Sequence, residues 1–249
     1  MGLIIVTGDL TFEARKDEFD KARNFLATLM GHFDLGPDHL VVIPGNHDLK
    51  WTDDGNYEEG AELKVSPAAA REQYEDFYRE LLRHSPNDLL SMGRRYVFDS
   101  GVQFEFCALN SNGVETGGDF LAGMGRLQAH AFTKTATEMG WKHRLLHEEP
   151  YPGSHALRIL ALHHHLVGTE DIELAKEYYT GFGTAIDARK IMRNAADFGV
   201  SLVLHGHRHR SFVWRTSVYR LPDKAAPAFD LGEISILGAG SAGSKALRS

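Results

Sequence analysis

The 249-residue chain reads as an α/β protein with helices packed on a mixed two-sheet core. Apolar, β-branched runs alternate with amphipathic stretches along most of the sequence, and consecutive strands close it. Four of the apolar runs also end in polar residues: Gly8-Asp9, Gly45-Asn46-His47-Asp48, His163-His164-His165 and His205-Gly206-His207-Arg208-His209. Open α/β sheets gather their chemistry at such strand ends.

Gly2 to Thr7 is a continuous apolar run, the pattern of a strand buried on both faces. Over residues 12–31, Phe12, Phe19, Ala22, Phe25, Leu26, Leu29 and Met30 recur at helical spacing among charges, with Gly31 as the stop. Leu40 to Ile43 is a short strand closed by Pro44-Gly45, and the polar residues 49–66 form a loop. Pro67 opens a helix to about His84, with Tyr74, Phe77, Tyr78, Leu81 and Leu82 on one face. Tyr96 to Phe98 and Val102 to Leu109 flank Asp99-Ser100-Gly101 and read as a hairpin. A glycine-rich loop at 113–125 leads into a helix to about Glu148, and residues 150–154 break the chain. Ala156 to Leu162 is a strand, 184–198 is amphipathic, Leu202 to Leu204 is a strand, and two more follow at 211–219 and 230–238. No repeat or linker divides the chain, so residues 1–249 are expected to form a single domain.

Composition narrows the function classes. With 27 Lys+Arg against 34 Asp+Glu the net charge is −7, which disfavours a sequence-independent nucleic-acid binder. The one cysteine, Cys107, sits in the strand-like VQFEFCALN and reads as a small buried hydrophobe. No run approaches the roughly eighteen apolar residues of a membrane span, and no basic segment leads into an apolar one as in a signal peptide. The expected location is cytoplasmic.

Taken singly, the strand-end residues have ordinary readings: a turn carboxylate, a type I turn, a solvated histidine triplet. Together they are different, because strands ending on one side of a sheet bring these four loops to one place. The resulting mix of carboxylate, amide and imidazole suits Mn, Fe, Zn or Ni rather than Mg or a thiolate-bound metal.

In that order and at strand ends, GD, GNHD, HH and GHxH resemble the calcineurin-like metallophosphoesterases, a family that includes purple acid phosphatases, serine/threonine phosphatases and bacterial cyclic-nucleotide phosphodiesterases. The segment GMGRLQAH (123–130) is similar to the family's glycine–glutamine lead into a helix. The resemblance implies a four-layer α/β/β/α sandwich and the hydrolysis of phosphomonoesters or phosphodiesters by a hydroxide bridging two divalent metals. The substrate would be a phosphate-ester small molecule or a cyclic nucleotide. Carried over residue by residue, Asp9 would bridge the two metals. Asn46, His207 and one histidine of the triplet would complete the second metal's ligands, and His209 would belong to the first metal. Of the triplet, His163 directly follows the apolar strand, as the family's ligand does, with His164 as the alternative. His47 matches the family's acid or phosphate-contacting histidine, and Asp48 would orient its ring.

The family begins with a strand ending in Asp-x-His that supplies two ligands to the first metal, and no Asp-x-His occurs in this sequence. The expectation is that the chain lacks the family's first strand because an upstream segment is omitted. The alternative is a natural variant with one metal or none, which binds metal or phosphate with little turnover. Either way, Gly2 to Thr7 would face an open sheet edge and invite self-association. Substrate identity would lie in loops 49–66, 111–125 and 166–183.

Overall fold

The computed structural model describes residues 2–50, 67–113, 124–142, 156–168, 183–207, 209, 211–220 and 229–241. In chain order the elements are β1 (Ile4–Val6), α1 (Lys16–His32), β2 (Leu40–Val42), α2 (Pro67–Leu82), β3 (Met92–Val97), β4 (Gln103–Ala108), α3 (Ala131–Glu138), β5 (Ala156–Ala161), α4 (Ala188–Asp197), β6 (Leu202–His205), β7 (Phe212–Arg220) and β8 (Phe229–Gly238). Strands β1 and β2 form a parallel pair, Ile4 opposite Leu40 and Val6 opposite Val42. The other six form one sheet in the order β3-β4-β5-β6-β8-β7. Its central strands β4, β5, β6 and β8 are parallel, with β3 and β7 antiparallel at the flanks.

Helices α3 and α4 lie against the six-stranded sheet, β2 meets β4, and α1 packs on α2. This is the mixed α/β sandwich that the motifs imply. The parallel centre explains the near-continuous apolar runs: Leu160, Ala161, Val203 and Ile236 are fully buried because layers cover both faces. It also fixes where chemistry can gather, since β4, β5 and β6 all deliver their C-terminal ends to one margin of the sheet. Strand β2 is wholly buried while β1, paired with β2 alone among the described residues, is half-buried.

Several boundaries differ from the sequence expectations. Helix α1 starts at Lys16 rather than Phe12, because the Glu18 carboxylate accepts the backbone N–H groups of Glu13 and Arg15 (3.0 and 3.1 Å) and so closes the helix start there. Phe12 is left in a loop, and Phe25, expected on the apolar face, is exposed. The helix runs one residue past Gly31, to His32. Strand β3 begins at Met92, four residues before Tyr96; Arg94 and Arg95 mask its alternation in the sequence. The hairpin at 99–101 forms with Gly101 at φ 79°. Helix α3 ends at Glu138, where Gly140 at φ 77° turns the chain away, and residues 143–148 of the expected helix lie outside the described residues. So do most of the loops assigned to substrate choice, the break at 150–154 and Arg208. Cys107 is buried in β4, and burial pushes its thiol far above the ordinary range, which fits an inert hydrophobe. Among the described residues no helix is long and apolar enough to cross a membrane.

A charged group, Glu105, is buried within the sheet. Glu105 on β4 lies directly opposite Arg158 on β5 and accepts from Arg95 Nε (2.6 Å) and Arg158 Nε (3.2 Å). Arg158 also reaches the Phe198 carbonyl at 2.7 Å and lies over the Trp141 ring, 5.0 Å from its centroid. This pins the strand that leads into the histidine triplet. Glu105→Ala leaves the Arg158 guanidinium without its carboxylate, so it is expected to lower stability by about 1–3 kcal/mol, read as a lower denaturant midpoint.

Candidate metal centre

The first polar strand end is shaped by backbone conformation. Gly8 at φ 98° and Asp9 at φ 55° turn the chain sharply after β1. A Cβ on Gly8 would lie 2.3 Å from Gly45 N, and one on Gly45 would lie 2.2 Å from Asp9 Oδ1 and 2.3 Å from Asp9 N. Two backbones therefore touch where any larger residue would force them apart. That contact sets the Asp9 carboxylate beside Asn46 and against the end of β5.

Four ligand-type atoms meet there. His163 Nε2 is 3.0 Å from Asn46 Oδ1, 3.0 Å from His207 Nδ1 and 3.3 Å from Asp9 Oδ1. His207 Nδ1 is 3.1 Å from Asn46 Oδ1, brought in by a left-handed His207 at φ 70°. His163 Nδ1 lies 2.7 Å from the Thr7 carbonyl, an acceptor, so the ring proton sits on Nδ1 and Nε2 presents a lone pair to the cluster. Burial pushes the His163 pKa down, favouring the neutral ring. Asp9 is pulled to about 2: burial raises it, but His163, His209 and His47 together outweigh that. An imidazole lone pair, an amide oxygen and a carboxylate oxygen thus converge with His207 Nδ1, which lies within hydrogen-bond reach of both His163 and Asn46, and this donor set is of the kind that holds a divalent cation. Donor atoms bound to one ion at about 2.1 Å and at right angles to each other stand about 3.0 Å apart, so the cluster fits a divalent metal.

The family model for calcineurin-like phosphoesterases matches residues 2–211. The chain belongs to the calcineurin-like phosphoesterase family. No curated protein matches it. The family works with divalent metals, and ring nitrogens of His163, His164 and His207 lie within 4.8 Å of one another in this member.

The two triplet candidates differ in their hydrogen bonds. Ser111 Oγ accepts the backbone N–H groups of His163 (3.3 Å) and His164 (3.2 Å), which leaves its own hydrogen for His164 Nδ1 at 2.8 Å. A neutral His164 then carries its proton on Nε2 and offers a donor there, where His163 offers a lone pair. His209 stands further off, its Nε2 3.9 Å from Asp9 Oδ2, and Asp9 raises its pKa. His165 and His205 are buried in an adjoining aromatic group, their rings 4.4 Å apart and both against Phe212, with the His165 ring edge-on to that of His207 at 6.2 Å.

His47 is half-buried beside the cluster, and its backbone N–H donates to Asp9 Oδ1 at 3.3 Å. The expectation that Asp48 orients its ring is corrected by the hydrogen bonds. His47 Nδ1 donates to the Phe12 carbonyl at 2.9 Å, and the ring lies parallel to the Phe12 ring, 5.4 Å between centroids. Asp48 is fully buried and turned the other way. It accepts Thr11 N–H (2.9 Å) and the Thr11 hydroxyl (3.0 Å) on Oδ1 and Gly45 N–H (2.8 Å) on Oδ2. Burial, then the charge of Asp9, pushes its pKa up to about 7. Its role is to tie the Gly8-Asp9 turn to the Gly45–Asp48 turn.

Sequence reasoning missed Thr7, Thr11, Phe12 and Ser111 as parts of this site. Thr7 and Phe12 act through main-chain carbonyls, which leave no trace in residue type. Ser111 was reachable, because it follows β4 as the other site residues follow their strands. Gly45 has an unstrained φ of −88°, so Gly45→Ala tests the close contact alone. It is expected to weaken metal binding about tenfold or more, by titration of the purified protein with Mn²⁺ or Zn²⁺, and to lower the melting temperature.

Proposed function

We propose that this protein is a metal-dependent hydrolase of phosphate monoesters or diesters, with a divalent transition metal held by Asp9, Asn46, His163 and His207 and with His209 on the far side of Asp9. The observation that carries the reading is the cluster of four ligand atoms at 3.0–3.3 Å beside a positioned imidazole. The donor set of two imidazoles, an amide and a carboxylate suits Mn, Fe, Zn or Ni. Bound there, such a cation supplies Lewis acidity to the phosphoryl oxygens and lowers the pKa of water.

The protein's own groups do the rest. Asp9, ionised down to about 2, stays a charged ligand across the neutral range. The Thr7 carbonyl holds the proton of His163 on Nδ1 and keeps Nε2 available. Phe12 holds His47 by Nδ1, so that Nε2 is the nitrogen left to meet the ester. As an imidazolium, His47 gives the Nε2 proton to the departing alkoxide, a role worth about 10²–10⁴-fold. Ser111 and the backbone it holds keep the triplet in register. The overall negative charge favours a small phosphate ester, a cyclic nucleotide among them, over a nucleic-acid polymer.

Two measurements test this reading. Elemental analysis should find a divalent metal in the wild type and clearly less in His207→Ala and Asn46→Ala; equal content in all three removes the ligand assignment. In kinetics, His47→Ala should lower kcat more for alkyl esters than for p-nitrophenyl esters, because p-nitrophenolate departs without a proton. Metal without hydrolysis of either ester type would point instead to a domain that binds without turnover.

A further inference from the structure

Phe12 joins an exposed ring to a tightly held backbone. The residue is 71% exposed. On one side of it, Thr11 N–H donates to Asp48 Oδ1 at 2.9 Å, and Thr11 Oγ lies 2.7 Å from the His47 carbonyl. Its own carbonyl accepts His47 Nδ1 at 2.9 Å. On the other side, Glu13 and Arg15 donate to the Glu18 carboxylate at 3.0 and 3.1 Å. The loop carries two left-handed non-glycine residues, Asp9 at φ 55° and a buried Ala14 at φ 52°. Such backbone persists only where surrounding contacts hold it. A single exposed phenylalanine needs no explanation. This one stacks on the ring of His47, whose backbone N–H reaches Asp9 of the cluster, and lies parallel to it within 10°.

We infer that the Phe12 ring is an aromatic contact surface for the leaving group, so that the preferred substrates are phosphate esters whose leaving group carries a flat ring. This rests on the phosphoesterase reading with His47 as the acid. Proton transfer requires the leaving oxygen within about 2.6–3.2 Å of the imidazole. The atoms beyond that oxygen then extend past His47, whose ring centre is 5.4 Å from that of Phe12. A planar group there meets Phe12 edge to face or offset, a contact worth about threefold to tenfold in affinity.

The test is equilibrium binding, which needs no turnover. The purified chain in Mn²⁺ is titrated with phenylphosphonate against methylphosphonate, and with adenosine 5′-monophosphate against ribose 5-phosphate. Wild type should favour the ring-bearing member of at least one pair about threefold to tenfold. The first pair reports an aryl group and the second a nucleobase. Phe12→Ala and Phe12→Leu should bring that ratio near one while Phe12→Tyr keeps it, and the side chain is exposed enough for all three to fold. An unchanged ratio in Phe12→Ala, or no preference in the wild type, overturns the inference and leaves the phosphoesterase reading standing. No binding of any of the four probes by metal-loaded wild type overturns both.

Discussion

Where β1 and β2 end, the two backbones come together at Gly8 and Gly45 with no room for a Cβ on either. The cluster of ligand-type atoms depends on that contact. It sets Asp9 next to Asn46 across two different strands, and it opens the space into which β5 delivers His163. The Asp48 carboxylate locks the contact from beneath by accepting Gly45 N–H and Thr11 N–H on its two oxygens. A buried carboxylate is costly in isolation, and here three hydrogen bonds offset the loss of water. The price is visible in its pKa, pushed to about 7 with Asp9 nearby.

Electrostatically the site is built in opposition. One aspartate is drawn to about 2 and its neighbour in space is pushed to about 7, so the two carboxylates have separate roles. Asp9 presents charge to the cluster, and Asp48 spends its acceptors on backbone. Neutral His163 beside ionised Asp9 gives a donor set whose net charge is low enough to bury and high enough to hold a divalent ion. The fold contributes direction. Parallel strands in the six-stranded sheet place His163, Ser111, His205 and His207 at one margin, while the β1–β2 pair brings Asp9 and Asn46 from a second sheet.

Much of this was legible in the sequence, for physical reasons that can be named. Short strands built almost wholly of apolar residues read as unbroken apolar runs, so β1, β2, β5 and β6 stood out, and with them the polar residues that follow each; β1 is nevertheless only half-buried, where the run implied burial on both faces. Asp9, Asn46, His163 and His207 were each readable as a strand-end residue of ligand type, and the close approach of their atoms follows from topology. What stayed hidden was of two kinds. Helix α1 reads as starting at Phe12 because the apolar period extends that far; a side-chain carboxylate six residues on overrides it. The ring of His47 was assigned to Asp48 by resemblance to the family's pattern, whereas in the fold the carboxylate turns inward and a carbonyl from another loop takes its place. The loops expected to choose the substrate lie mostly outside the described residues.

Two imidazoles at this centre, His163 and His47, have their proton positions set by main-chain oxygens, those of Thr7 and Phe12. A carbonyl is supplied by every amino acid, so the side chain at position 12 is uncoupled from the protonation geometry it helps to fix. Another side chain could stand at position 12 while the main-chain carbonyl went on holding the His47 ring. The loop thereby separates two functions: its backbone fixes where the imidazole proton sits, and its exposed side chain is free to differ without altering that hydrogen bond.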